Sequence, residues 1–174
     1  MSDLEAKVQR LLDLEEIKML KYRYCQYNDG GWPAQPLSHQ GPAADLYTED
    51  GVWDGSPVIK AEGREEIRKL FASMASLPMA YHAVTNPIIE IDGDTARGHW
   101  HLISGAVGKP ARPSNDSSAV EFGGDIASFG FAGYQEEYVR TPDGWRIKST
   151  KMVYGRRTVL PNGWTHVGAA APKS

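Results

Sequence analysis

The sequence predicts an α+β fold, a cone-shaped barrel of strongly curved antiparallel sheet covered by N-terminal helices. Three observations predict it. Apolar residues in the first part of the chain recur at spacings of three and four. The second half holds four long runs that read as strands, paired by two tight turns, Asp92-Gly93-Asp94 and Pro142-Asp143-Gly144. No repeat or linker separates the halves, and 174 residues suit one domain with a real core. That domain is expected over 1–174, with a core from about 4 to 158 and an irregular tail from 160 to 174.

Leu4, Val8, Leu11, Leu14, Ile17, Leu20, Tyr24 and Tyr27 mark one apolar stripe of a long first helix. Ser2 or Asp3 can cap it, and Gly30-Gly31 ends it. Pro33, Pro36, Gly41 and Pro42 make the stretch from Trp32 a loop. A short helix over Ala43–Tyr47 and a strand over Val52–Asp54 follow. A second amphipathic helix starts at Gly63 and ends near Ser76. Strands are then predicted over Tyr81–Asp92, Thr95–Ser104, Ile126–Arg140 and Trp145–Val159, with a Gly/Pro/Ser-rich loop over Gly105–Ala119. Helices on one face of such a bent sheet leave a cone with an apolar interior, where a small ligand fits.

Composition narrows the function. A formal net charge of −3 with no basic block argues against a nucleic-acid partner. Cys25 is the sole cysteine, so neither an intrachain disulfide nor a cysteine-rich zinc site is expected. No run of about 18 apolar residues is present to span a membrane, and no secretory signal is visible. The cytoplasm is the expected compartment.

Asp29 and His82 stand out as chemistry-bearing residues. Asp29 follows the first helix, and His82 opens the first long strand. If the strand folds against the helix end, the carboxylate orients the imidazole, and an oriented imidazole titrating near neutrality is a general base. Such a site needs no metal and no cofactor, and none is expected.

The order of elements resembles the SnoaL-like, or nuclear transport factor 2-like, superfamily. Four strings carry the resemblance. They are Ile17-Lys18-Met19-Leu20-Lys21-Tyr22-Arg23-Tyr24 leading to Asp29, and Leu46-Tyr47-Thr48-Glu49-Asp50-Gly51-Val52-Trp53. The others are His82-Ala83-Val84-Thr85-Asn86-Pro87 with Ile91–Gly98, and Asp143-Gly144-Trp145-Arg146-Ile147. Within the superfamily the chain is most similar to bile-acid 7α-dehydratase, scytalone dehydratase and hexachlorocyclohexane dehydrochlorinase. The resemblance implies a cofactor-independent lyase acting on a hydrophobic cyclic or aromatic small molecule. His82 would be the base, Asp29 its support and Tyr24 an assisting hydroxyl, with water, halide or a small carbonyl fragment leaving. Isomerisation by proton shuttling, or binding and assembly without catalysis, are the alternatives this fold also hosts. The resemblance implies a homo-oligomer as well, a homotrimer as in the lyases or a homodimer.

Departures from the pattern are visible. Asn28 stands where scytalone dehydratase has a tyrosine, and its second histidine falls at Ala106 here. The loop from Trp32 to Pro42 is longer. Arg156 and Arg157 follow Gly155, and strand alternation lets only one face the cone. Which of the two does so is left open, and Arg156 is taken as the expected cation. Trp53, Tyr47, Trp100, Tyr81, Phe71, Phe129 and Met152 are the expected pocket wall, with Met74 and Phe131 nearby. His99 and His101 share one strand face without a third ligand, so they do not read as a metal site. Cys25 reads as buried and inert, and His39 and His166 as bystanders.

Overall fold

A computed structural model describes residues 2–31, 38–75, 77–108 and 126–160. Helix α1 runs Asp3–Asn28, followed by a 3-10 turn over Ala43–Leu46 and strands β1 (Tyr47–Gly55) and β2 (Ile59–Glu62). Helix α2 spans Arg64–Met74, and β3 (Met79–Asp92), β4 (Thr95–Gly108), β5 (Ile126–Thr141) and β6 (Gly144–Leu160) complete the fold. The six strands form one curved sheet in the order β2-β1-β6-β5-β4-β3. All neighbours are antiparallel except β1 and β6, which pair in parallel, so the sheet is mixed. The expected tail, and most of the loop expected over 105–119, lie outside the described residues. Gly105–Gly108 instead continue β4.

Ser2 caps α1 through a reciprocal box. Its hydroxyl accepts from the Glu5 amide at 3.2 Å, and the Glu5 carboxylate accepts from the Ser2 amide at 2.6 Å. The apolar stripe packs only from Asp13 onward. Leu4, Val8 and Leu11, part of the expected apolar stripe, are exposed on the first half of the helix, where no described element covers them. From there Ile17, Leu20, Lys21, Tyr24, Cys25 and Asn28 turn inward.

What they meet is a packed interior with a charged centre. Lys21 and Glu136 are both fully buried and pair at 2.7 Å. The same Glu136 oxygen accepts from Thr150 at 2.8 Å, while Tyr138 donates to the other oxygen. Trp100 Nε1 donates to Tyr138 at 2.9 Å, and Tyr47 shares a 2.8 Å hydrogen bond with Thr150. Lys21 Nζ lies 3.5 Å from the Tyr134 ring centre and 4.1 Å from that of Tyr24. Aromatic faces and a multiply bonded carboxylate thus replace the water these charges lose.

At the other end of the interior Asp13 accepts two hydrogen bonds from Arg140, at 2.8 and 2.7 Å, and one from Trp145 Nε1 at 3.2 Å. The Arg140 guanidinium holds the Asp13 carboxyl down at about 2, from 3.8. Its stabilising effect is complete above about pH 3.8 and disappears as pH falls toward 2. Asp13→Asn should therefore lower the melting temperature at neutral pH and flatten its fall across that acid window, followed by circular dichroism. Lys21→Met leaves a buried carboxylate without its cation. Urea denaturation of that variant should show a loss of about 3–5 kcal/mol.

Candidate active site

The chain leaves α1 in an extended conformation at Asp29 (φ −75°, ψ 155°). Gly30 then pairs with Ala80 through two backbone hydrogen bonds, 2.9 and 3.1 Å, on the free edge of β3. Gly31 follows at φ 96°, where a Cβ would lie 2.6 Å from the Pro78 carbonyl, so only glycine fits. This stub holds Asp29 beside His82. Asp29 Oδ1 accepts the His82 backbone N–H at 2.8 Å and lies 2.8 Å from His82 Nδ1. An ionised carboxylate only accepts, so a neutral ring bonded to it carries its proton on Nδ1 and leaves Nε2 as the acceptor. The two side chains retain 12% and 16% of their exposure.

A cavity of about 410 Å³ opens on the pair. Tyr22, Cys25, Gln26 and Asp29 line it from the α1 side, and His82, Ala83 and Val84 from β3. Its size is that of a small-molecule site. Burial pushes the Cys25 thiol up to about 12, so it is no nucleophile at neutral pH.

The loop after α1 adds a residue that sequence reasoning passed over. The amides of His39 and Gly41 donate to the last carbonyls of α1, Asn28 and Tyr27, both at 3.1 Å. His39 adopts φ 57°, a left-handed conformation in which histidine is one of the better tolerated residues. Its ring is 6.1 Å from that of His82, nearly perpendicular to it, and is almost fully buried. Burial, with His82 beside it, lowers its pKa to about 3, so the ring is neutral at physiological pH. The signal available in the sequence was only its type, a histidine just before Gly41-Pro42.

Strand register places the other expected residues. His82, Ser104, Gly130 and Arg157 are successive partners across β3, β4, β5 and β6 and share one face. Arg157 therefore looks toward the helix-covered face, where it donates to Ser128, while Arg156 pairs with the exposed Phe131 on the outer face. The inversion arises at Gly155, which bulges out of the ladder between Arg156 and Tyr154. Tyr81 and Phe129 also lie on the outer face, the latter edge-on to Phe131 at 5.3 Å. Tyr47, Trp53, Phe71 and Trp100 are buried in the packed interior, with Met152 and Met74 against them. None of these lines the cavity beside His82. Tyr24 is also interior. Its hydroxyl accepts from Trp53 Nε1 at 3.0 Å, and burial raises its pKa well above the usual tyrosine value. His99 and His101 are exposed on the outer face, 6.1 Å apart. Among the described residues no three His, Cys, Asp or Glu side chains cluster as a metal site would require. His166 lies outside the described residues.

A family model for the SnoaL-like domain matches residues 9–151. The chain belongs to the SnoaL-like family. Its fold is shared with a hexachlorocyclohexane dehydrochlorinase of type 2 (TM-score 0.72, 17% identity, 94% of this chain and 99% of that one). It is shared too with a proposed scytalone dehydratase from Novosphingobium aromaticivorans (TM-score 0.68, 18% identity, 95% and 96%). An uncharacterized protein of Mycobacterium tuberculosis is 29% identical over 106 residues, 59% of this chain. The chain spans 63% of the length of that relative. No helix among the described residues is long and apolar enough to cross a membrane.

Proposed function

We propose that this SnoaL-like protein is a cofactor-independent lyase that removes a proton from carbon with the Asp29–His82 dyad. The observation that carries the reading is the 2.8 Å contact between Asp29 Oδ1 and His82 Nδ1 at the wall of an open cavity. Asp29 fixes the tautomer and stabilises the imidazolium that forms, while Nε2 takes the proton. Arg157 shares the face and the strand row of His82, and its fixed positive charge suits an enolate, a phenolate or a departing anion. Besides the dyad, Tyr22, Cys25, Gln26, Ala83 and Val84 bound the cavity, a lining of mixed polar and apolar character that suits a cyclic or aromatic molecule carrying a polar group. The likeness in fold to a dehydrochlorinase and a proposed scytalone dehydratase supports elimination of halide or water.

Tyr24 has its hydroxyl on Trp53 within the packed interior, so the assisting role goes to Arg157, which lies outside the cavity wall, three strands from His82 on the same face, and serves a substrate that reaches across the sheet. Isomerisation is the second reading. One specific observation favours it: the dyad is the one acid–base pair lining the cavity among the described residues, and a single base that takes and returns a proton is sufficient for it. A homo-oligomer remains part of the proposal, because Ile88, Phe131 and Val153 expose apolar surface on the outer side of the sheet.

The test is turnover of a panel of cyclic and aromatic alcohols, ketones and halides. His82→Ala and Asp29→Asn should each lower kcat/KM for any substrate found by roughly 100-fold or more, with unchanged circular dichroism. Full activity in either variant would remove the dyad from the chemistry.

A further inference from the structure

His39 has no role in the proposed chemistry, yet its placement is specified from three directions. Its amide, with that of Gly41, caps the end of α1, the helix that delivers Asp29. Its neighbour Ser38 is fully buried and donates at 2.9 Å to the Leu77 carbonyl, two residues before β3, the strand that delivers His82. The loop is thus fastened to both halves of the dyad. The ring it carries is nine-tenths buried and meets the His82 ring edge to face at 6.1 Å.

Three features separate this contact from ordinary packing. The His39 Nδ1 is sealed from solvent without a hydrogen-bond partner, an arrangement that destabilises a fold by about 1–3 kcal/mol. His39 also stands in the left-handed region at φ 57°, and non-glycine residues held there cluster at functional sites. Also, Asp29 holds the His82 ring through a single oxygen, which at the same time serves the His82 backbone amide. One hydrogen bond at one ring nitrogen selects the tautomer only while the ring stays aligned with the carboxylate; a ring free to tilt loses that contact and exchanges its proton between the two nitrogens. A base acting on carbon has to be held to a fraction of an ångström.

We infer that His39 is a positioning residue of the site: its ring, tied to both α1 and β3, fixes the plane in which Asp29 presents the His82 imidazole. The inference rests on His82 being the base of the proposed reaction. A neutral ring suits the task, since it stands beside His82 without repelling the imidazolium formed during proton abstraction. The other titratable groups that line the cavity with His82 are Asp29, Cys25 and Tyr22 from α1.

The experiment requires no substrate. Ring-nitrogen NMR of the ¹⁵N-histidine-labelled full chain, near pH 8 where histidine is ordinarily neutral, reports the His82 tautomer directly. The native protein should show His82 with Nδ1 protonated and Nε2 bare. His39→Asn and His39→Gly both keep the left-handed backbone and the capping amide. In each, the separation between the two His82 nitrogen shifts should shrink toward an average, while the Gly30 and Ala80 amide signals stay in place. Added imidazole should restore the separation in His39→Gly by refilling the vacated ring site. An unaltered His82 pair in both variants overturns the inference, and so does a change that imidazole fails to reverse. Movement of the Gly30 and Ala80 amides together with His82 also overturns it, because the loop would then be acting on the fold. Asp29→Asn separates the two levels. If it alters His82 and the His39 variants do not, only this inference fails. If it leaves His82 unaltered, the dyad reading itself fails.

Discussion

The buried pair of Lys21 and Glu136 is the constraint on which the placement of the site depends. A helix lying on a sheet is free to roll and slide unless something specific fixes it, and apolar contacts alone are forgiving. An ammonium with no exposure, seated between two tyrosine rings and a carboxylate on β5, permits one rotation of α1. Eight residues later, about 12 Å along the axis, that rotation brings Asp29 to the free edge of β3. The same pair occupies the deep interior with side chains, together with Tyr24, Tyr47, Trp53 and Tyr134. The open space is therefore at the α1–β3 flank, where the dyad sits.

Edge strands usually present unpaired backbone to solvent. Here part of that edge is put to use. The stub at Gly30 pairs with Ala80, and Asp29 takes the next outward amide, that of His82. The carboxylate thus closes the edge and orients the ring with one oxygen. Farther along β3, Asn86 at φ 51° and Pro87 interrupt the strand, and its pairing with β4 shifts register there. Edge protection and site construction are carried by one short segment.

Much of this was legible in the sequence, and the reasons for the rest are physical. The long strands, both Asp-Gly turns and the two main helices follow from periodicity and turn chemistry, with ends that differ by a few residues. Strand β2, Ile59-Lys60-Ala61-Glu62, escaped because its apolar–polar alternation lasts only four positions, too short to stand out. Leu4, Val8 and Leu11 have helical spacing, but spacing does not say where the sheet stops. Lys21 and Glu136 lie 115 positions apart, and two charges read singly look like solvated surface. The Asp29–His82 pairing could be anticipated because each residue begins or ends an element. Alternation says only that one of Arg156 and Arg157 faces inward, and counted from Met152 without a bulge that would be the even-numbered residue. The bulge at Gly155, where a Cβ would lie 2.2 Å from the Phe131 carbonyl, reverses that parity. His39 read as a bystander because nothing in a loop sequence announces which helix end it will cap.

The central claim is that His82 removes protons from carbon, and it can be measured without knowing what departs. Cyclic ketones incubated with the protein in D₂O exchange their acidic C–H when a base of this kind acts on them. If His82 is that base, at least one ketone small enough for a cavity of about 410 Å³ gains deuterium faster with the native protein than with His82→Ala or Asp29→Asn. Equal exchange in all three proteins across the panel would contradict it and leave the Asp29–His82 contact as a structural hydrogen bond.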